Sequence, residues 1–265
     1  MQVVVVARIR KKAAAVGLAK REGSSRPRRI LVIDVGGSHI KVSGSGMREC
    51  RRVKSGRRTT PEKMVKRVRA LIGTRDFDVA SIGYPGPVLQ GKPVADPRNL
   101  GKGWVGYNYQ RALGLPIRLV NDAVMQAIGD YAGGRLLFIG LGTGLGTVLI
   151  INGTVEPMEI GHLPYRNGKT YEDYLGQRGL ERLGKRRWRR ALKDVLKRLT
   201  AALEVDHVVL GGGNARHAGR LPKKVRVSDN SSAVRGGFLL WTDSRWSSLG
   251  GAARRRVRVV ATRDR

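Results

Sequence analysis

Two aspartates, Asp34 and Asp122, follow apolar stretches at points where the sequence pattern changes. Asn121 and Asp122 come after the run "PIRLV" and before a helical pattern, and ligands gather at the carboxyl ends of strands in open α/β sheets. There the Asp122 carboxylate could accept a proton from an attacking hydroxyl group while Asn121 orients the substrate. The alternative interpretation is that this pair caps a helix, for which both residue types are well suited.

Asp34 lies at the end of the apolar run "ILVIDV". A carboxylate is disfavoured inside a sheet, but at its edge it is well placed to hold a hydrated magnesium ion beside phosphate groups. The alternative is an aspartate that simply caps a turn, and the position taken alone favours that alternative.

Two glycine-rich turns each join a pair of strand-like runs. The second, "GLGTGLG", is followed by "TVLII" and not by a helix, so it does not fit a dinucleotide-binding fingerprint. Main-chain amides and hydroxyl groups on two facing turns would form a clamp for phosphates, whereas the alternative is a purely structural turn. The residues concerned are Gly36, Gly37, Ser38, Gly142, Thr143 and Gly144.

Further polar residues follow in the second half of the chain, where "MEIGHLPY" and "KTYEDYLG" carry Glu159, His162 and Glu172. If these side chains meet Asn121 and Asp122 in one cleft, they suit a polyhydroxylated substrate, because sugars need many directed hydrogen bonds. The strand-like run "VVLGGGN" ends in glycines that predict either a tight turn or a close approach to a nucleotide. Those glycines are Gly211, Gly212 and Gly213.

The elements that must position these residues repeat along the chain. A β-hairpin is predicted across each glycine turn, and each is followed by further helix and strand patterns. We therefore expect two similar halves and a two-lobed α/β protein with a cleft between the lobes. The expected parts are a basic extension over residues 1–28, an N-terminal lobe over 29–120 and a C-terminal lobe over 121–265.

Composition narrows the class of protein. The chain has 265 residues and 41% hydrophobic content, which is enough for a buried core. A single cysteine, Cys50, excludes an internal disulfide and a cysteine-clustered zinc site, so we expect a reducing compartment and a cytoplasmic location. The apolar runs are shorter than the ~20 residues of a membrane helix, so no membrane partner is expected.

The formal net charge is +32, which favours polyanionic partners: nucleic acid, nucleotides and polyphosphate all qualify. The alternative is a solvated, arginine-rich surface with no specific partner. The basic helical segment "GKRRWRRALKDVLKR" is one candidate track for a long polyanionic donor.

Taken together and in order, these motifs resemble the ROK-type sugar kinases of the actin-like ATPase superfamily, and in particular their polyphosphate/ATP-glucokinase branch. The resemblance runs from about residue 30 to residue 241 and rests on "IDVGGSHIKV", "IGYPGPV", "NLGKGW", "VNDA", "GLGTGLGTVLIINGTV", "EIGHLPY", "YEDYLG" and "VVLGGGN". It implies the two-lobed, ribonuclease H-like fold of that superfamily with a cleft between the lobes.

The resemblance also implies roles for single residues. Asp122 would be the general base that takes the proton of the sugar 6-hydroxyl, and Asp34 would position Mg²⁺, through water. The donor phosphates would lie against the two glycine turns and Lys41, and the nucleotide of ATP against the glycines of "VVLGGGN". The implied sugar-binding residues are Asn99, Asn121, Asp122, Glu159, His162 and Glu172.

Three features of the sequence bear on which members of this family it resembles. The segment after Glu-x-Gly-His has no cysteine, so no zinc is expected, and the basic N-terminal extension lacks a DNA-binding helix-turn-helix. Leu163 to Tyr165 are unusual there and leave the sugar open among glucose, mannose, fructose and an N-acetylhexosamine. A non-catalytic sugar sensor or nucleic-acid-associated protein is the rival interpretation, supported by net charge alone. A homodimer is suggested only by the resemblance.

Overall fold

The computed structural model describes residues 27–229 and 231–251. The predicted extension over residues 1–28 therefore lies outside the described residues except for its last two, as do residues 252–265. The strands are β1 Ile30–Val35, β2 His39–Gly44, β3 Arg51–Lys54, β4 Val79–Tyr84, β5 Val88–Leu89, β6 Lys92–Pro93, β7 Ile117–Asn121, β8 Arg135–Leu141, β9 Leu145–Ile151, β10 Thr154–Met158, β11 Pro164–Arg166, β12 Lys169–Thr170, β13 His207–Gly211 and β14 Val225–Val227. The α-helices are α1 Pro61–Ile72, α2 Tyr109–Leu113, α3 Asp122–Asp130, α4 Tyr171–Leu175, α5 Gln177–Leu203 and α6 Ser232–Thr242.

Two five-stranded sheets share one topology. Their strand orders are β3-β2-β1-β4-β7 and β10-β9-β8-β13-β14. In each sheet the first three strands are antiparallel neighbours and the last two join in parallel. The repeat of the whole strand order confirms the predicted duplication into two similar halves.

The two predicted hairpins lie at equivalent places in the two sheets. In the β1–β2 hairpin Asp34 is the register partner of Lys41, and in the β8–β9 hairpin Gly140 is the partner of Gly146. Each tip follows the carboxyl end of the first strand, which is also the edge where the parallel strands β4, β7 and β13 end. The topology therefore brings both glycine turns to the edges where α/β sheets bind ligands.

Helices α3 and α6 lie between the sheets. One apolar cluster joins residues of both helices to inward-facing residues of both sheets, including Val32, Val120, Phe138 and Val209. The outer face of the first sheet is covered by α1 and α2, and the outer face of the second by α4 and α5. The helix that begins at Asp122 is thus held in the layer that the two sheets share.

Glycines let α3 and α6 approach until their backbones touch. A Cβ atom on Gly236 would collide with the carbonyl of Met125, and one on Gly129 would collide with the carbonyl of Ser232. Helix α6 also reaches the first sheet, because Ser81 of β4 donates a hydrogen bond of 2.6 Å to the Gly237 carbonyl. Helix α6, near the C-terminal end of the described residues, therefore packs on the N-terminal sheet. The division into an N-terminal and a C-terminal lobe between residues 120 and 121 stays a prediction.

The basic helical segment "GKRRWRRALKDVLKR" lies within a longer helix, α5, which begins earlier, at Gln177, and is kinked at Gly184. Trp188 anchors it, being fully buried and donating to the Leu175 carbonyl at 3.0 Å. Within residues 27–229 and 231–251, no helix combines the length and apolar character needed to cross a membrane.

Candidate active site

Asn121 forms the N-cap of α3. Its Oδ1 accepts hydrogen bonds from the N–H groups of Ala123 at 2.9 Å and Val124 at 3.3 Å, while its Nδ2 donates to the Gly86 carbonyl at 3.0 Å. The capping interpretation of Asn121 therefore describes its geometry, and its contact with a sugar stays a prediction. The same bonds fix the start of α3, where Asp122 lies, and hold the loop at Gly86 next to it.

Asp122 occupies the first helical position of α3, between the two hairpins. A Cβ on Gly83 would lie 3.5 Å from the Asp122 Cα and 2.5 Å from Met125 Cε, so the glycine lets α3 lie close to β4. A Cβ on Gly146 would lie 3.3 Å from the Ala123 Cβ, which places β9 against the other side of the helix start. Asp122 is thus positioned from both sheets at once.

The surroundings of Asp122 raise its pKa to about 7. Burial is the largest cause, because it penalises the charged form, and the negative charge of Asp34 is the second. Hydrogen bonds from the N–H of Ala123, 2.8 Å from Oδ1, and of Asp122 itself oppose the shift, as does the charge of Lys41. A carboxylate with such a pKa is suited to take up a proton near neutral pH.

Asp34 is 7% exposed and faces Lys41 across the first hairpin. The Lys41 Nζ lies 3.3 Å from the Asp34 Oδ2 and stabilises the charged carboxylate, but burial outweighs this and raises the pKa of Asp34. The order β1-β4-β7 places Asp34 and Asp122 at the ends of strands separated only by β4, at Gly83. Two carboxylates therefore share one sheet edge.

This arrangement fits a magnesium ion better than a metal held entirely by protein. Among the described residues no group of three or more histidine, cysteine, aspartate or glutamate side chains could enclose a metal. Mg²⁺ commonly keeps several waters and binds through one or two carboxylates together with substrate phosphates. The buried carboxylate of Asp34, with Asp122 nearby, is compatible with such a donor set, and magnesium binding there stays a prediction.

The first glycine turn is hydrogen-bonded to Ser55, the residue that follows β3. Ser55 donates from its Oγ to the Gly36 carbonyl at 2.6 Å and from its N–H to the Ser38 carbonyl at 2.8 Å. A Cβ on Gly37 would lie 3.2 Å from the Asn99 Cβ, so Asn99, one of the expected sugar-binding residues, sits beside this turn. The loop that carries Asn99 and the turn that would carry phosphates are therefore adjacent.

The second glycine turn is tied to α5 and to the segment after β13. The Gly142 carbonyl accepts hydrogen bonds from Gln177 N–H at 3.0 Å and from the Asn214 side chain at 3.1 Å. Asn214 is 6% exposed and was not among the residues predicted for the site, although it ends the motif "VVLGGGN". It couples the expected nucleotide-binding glycines to the expected phosphate turn at Thr143.

The three glycines after β13 differ in how much space a side chain would have. A side chain at Gly211 would strike the Phe138 ring, and Gly212 has φ +80° with the Leu141 backbone beside it, so both serve the tight turn. Gly213 faces open space, with no atom within 4 Å of an added Cβ. The structural alternative thus accounts for two of them, and nucleotide binding by all three stays a prediction.

The remaining expected sugar-binding residues form a cluster around the second hairpin. Glu172 accepts a hydrogen bond from the Leu145 N–H at 3.0 Å, and a Cβ on Gly161 would lie 3.5 Å from the Glu172 Cβ. Glu159 and His162 lie two residues before and one residue after that glycine, both are exposed, and the His162 Nδ1 lies 3.9 Å from a Glu159 carboxylate oxygen. Three of the expected residues therefore meet on one side of the cleft.

Arg98 joins this cluster to the first lobe. Its guanidinium lies 3.8 Å from the Glu172 carboxylate, and its neighbour Asn99 lies beside Gly37. Arg98 was not among the predicted site residues, because one more arginine among 52 basic residues carries no signal. This ion pair links the loop of Asn99 to the cluster of Glu172.

The raised pKa of Asp122 has a consequence for the pH dependence of any reaction in which it acts as a base. Since the base must be deprotonated, kcat/KM is expected to rise with pH up to about 7 and then level off. Lys41→Met would remove a charge that lowers this pKa and should move the midpoint to higher pH. Initial rates between pH 5 and 9 measure both effects, and a flat wild-type profile would contradict the assignment.

Comparisons with known proteins agree with this geometry. A sequence model of the ROK family matches residues 30–173, which is more than half of the chain. The polyphosphate glucokinase of Mycobacterium tuberculosis is 26% identical over 234 residues, an alignment that covers 80% of this chain and 86% of that protein.

Two solved structures share the fold. The inorganic polyphosphate/ATP-glucomannokinase from Arthrobacter sp. strain KM superposes with a TM-score of 0.68 at 23% identity, covering 79% of this chain and 96% of that one. A ROK family glucokinase from Streptomyces griseus, in complex with glucose and AMPPNP, gives a TM-score of 0.62 at 17% identity, with 78% and 97% covered. The predicted two-lobed, actin-like α/β fold is confirmed.

Proposed function

Because this chain belongs to the ROK family, we propose that it is a sugar kinase of the glucokinase type, which transfers a phosphoryl group from ATP or inorganic polyphosphate to the 6-hydroxyl of a hexose. One observation carries the proposal. Asp122, with a pKa raised to about 7, lies between two glycine turns that come from equivalent hairpins of the two sheets. Phosphoryl transfer to a hydroxyl group needs a base and loops that position the phosphates, and this arrangement offers both.

The proposed reaction uses Asp122 and the two glycine turns as follows. Asp122 takes the proton of the sugar 6-hydroxyl as its oxygen forms a bond to the terminal phosphorus of the donor. The bond between that phosphorus and the bridging oxygen breaks, and the leaving group is ADP or a polyphosphate shortened by one unit. The N–H groups of the turns at Ser38 and Thr143, together with Lys41, hold the phosphate oxygens. Phosphoryl transfer needs mainly such positioning and charge neutralisation.

Magnesium would be held by Asp34, through water, where it would neutralise charge on the donor phosphates. Chelation by EDTA is therefore expected to abolish turnover, and added Mg²⁺ to restore it. A zinc-selective chelator should leave the rate unchanged, since the described residues contain no cluster for zinc. Rates measured before and after dialysis test this, and full activity in EDTA would rule out the assigned role of Asp34.

The sugar is proposed to bind through Asn99 on one lobe and through Glu159, His162 and Glu172 on the other. Water would be excluded as the lobes close, which protects the donor from hydrolysis. Glucose is the proposed acceptor because the relative aligned over 80% of this chain is named a glucokinase. Mannose, fructose and N-acetylhexosamines remain the alternatives to compare.

The test is a panel of acceptors and donors with purified protein and Mg²⁺. Glucose should yield a sugar phosphate with at least one of ATP and polyphosphate, and the ratio of kcat/KM values ranks the donors and the hexoses. The matched control is 6-deoxyglucose, which should inhibit competitively but accept no phosphate. A folded protein that phosphorylates no hexose with either donor would instead favour the rival, a non-catalytic sugar sensor or nucleic-acid-associated protein.

A further inference from the structure

The first glycine turn adjoins a basic cavity that no residue role assigned above explains. The cavity has a volume of about 570 Å³ and lies between β3 and the start of α1. We define this basic cavity by its five charged lining residues, Lys54, Arg57, Arg58, Lys63 and Arg67. No acidic residue lines it, so an anion is the ligand class that its charge favours.

The positively charged side chains of the basic cavity are available to a ligand. Within the described residues none of its five cations belongs to an ion pair. Arg67 donates to the Lys54 carbonyl at 2.8 Å and Lys63 to the Arg58 carbonyl at 3.0 Å, which fixes the frame of the cavity. The side chains of Arg57 and Arg58 are exposed.

The start of α1 adds to this potential. Thr60 is the N-cap of the 12-residue helix, and its neighbour Thr59 lines the basic cavity. A helix N-terminus carries partial positive charge and favours an anion beside it. Glu62 also lies in this first turn but does not line the basic cavity, so the helix terminus and the lining side chains favour the same sign of ligand.

The basic cavity adjoins the phosphate turn through Ser55. Ser55 lines the cavity and donates to the carbonyls of Gly36 and Ser38, at 2.6 Å and 2.8 Å. Lys54 is the register partner of His39, the residue that follows the turn. A linear chain of phosphates with its terminal unit at the turn would therefore have its next units close to the basic cavity.

We propose that the basic cavity binds the distal phosphates of an inorganic polyphosphate donor while its terminal phosphate lies at the turn of Gly36 to Ser38. This rests on the proposed function, since it assigns a path to one of its two donors. This path for polyphosphate differs from a path along the basic face of α5. The site favours long chains over short ones and makes no contact with ATP, whose nucleotide is expected at the glycines after β13.

The experiment compares two double variants. Arg57→Ser/Arg58→Ser removes two exposed guanidinium groups of the basic cavity, and Arg186→Ser/Arg187→Ser removes two exposed ones from α5. Affinity for long-chain polyphosphate is measured by titration without sugar at several salt concentrations, and KM is measured for long-chain polyphosphate, tripolyphosphate and ATP. Circular dichroism checks that each variant is folded.

The cavity variant is expected to bind long-chain polyphosphate about tenfold more weakly, with the slope of log Kd against log salt reduced by about two, because one counterion is released per phosphate contact. KM for long chains should rise by a similar factor, and KM for tripolyphosphate and ATP by less than twofold. The α5 variant should bind as the wild type does.

Three results would overturn the proposal: weakened binding only in the α5 variant, tighter binding of a single-stranded oligonucleotide than of polyphosphate at the basic cavity, or a wild type that uses ATP but does not bind polyphosphate. Failure of the proposed function is a different result, since no sugar phosphate would then form with any donor. The titration without sugar keeps the two failures apart.

Discussion

Replacing Asp122 with asparagine is expected to lower kcat about a thousandfold, while KM for glucose changes little. The amide has the size of the carboxylate and keeps its place at the start of α3, but it cannot take the proton of the 6-hydroxyl. Steady-state kinetics with glucose and the better donor measure the effect. Loss of less than tenfold would mean that another group is the base.

The stability of this variant separates chemistry from folding. Burial raises the pKa of Asp122 to about 7 in the folded protein, above the ~3.9 of an unfolded aspartate. The stability due to its bound proton is complete below pH ~3.9 and is lost as the pH rises through about 7. Above pH 7 the variant should therefore be at least as stable as the wild type, and any deficit at pH 8 would point to misfolding instead.

Gly236→Ala is expected to lower the free energy of unfolding by about 2 to 3 kcal/mol, although alanine is the better helix former. The added methyl group would strike the Met125 carbonyl, so α6 and α3 must move apart. Because Asp122 begins α3, the remaining folded protein should also lose activity, by about a hundredfold if the base moves by ~1 Å. Thermal unfolding should show a fall in Tm of about 5 to 10 °C.

The matched control is Gly213→Ala, at a glycine where an added Cβ meets no atom within 4 Å. Its Tm should equal that of the wild type. If both variants unfold at the wild-type temperature, the contact between α3 and α6 does not hold the catalytic helix in place.

The elements that carry the site were predictable because their patterns are local. Apolar runs on each side of the turns at Gly36 and Gly142 predicted both hairpins, which the pairing of β1 with β2 and of β8 with β9 confirms. The order of the motifs led to the fold through a resemblance to a family. Repetition of strand, glycine turn and strand predicted two similar halves, which the matching strand orders confirm.

Contacts made far apart in the sequence could not be predicted in this way. Nothing local in "AVRGGFLLW" indicates that Gly236 packs against Met125 or that Ser81 bonds to the carbonyl of Gly237. The same holds for the pairing of Arg98 with Glu172. Asn121 illustrates an ambiguity, because the cap and the ligand use the same side chain and only the observed bonds identify the cap.

The proposed kinase activity is tested by phosphorus NMR of the products formed by purified protein from glucose, Mg²⁺ and either ATP or polyphosphate, with Asp122→Asn as the parallel sample. We expect glucose phosphorylated at the 6-hydroxyl in the wild-type sample and almost none in the variant over the same time. A folded wild type that yields no sugar phosphate, or a variant that yields as much, would contradict it.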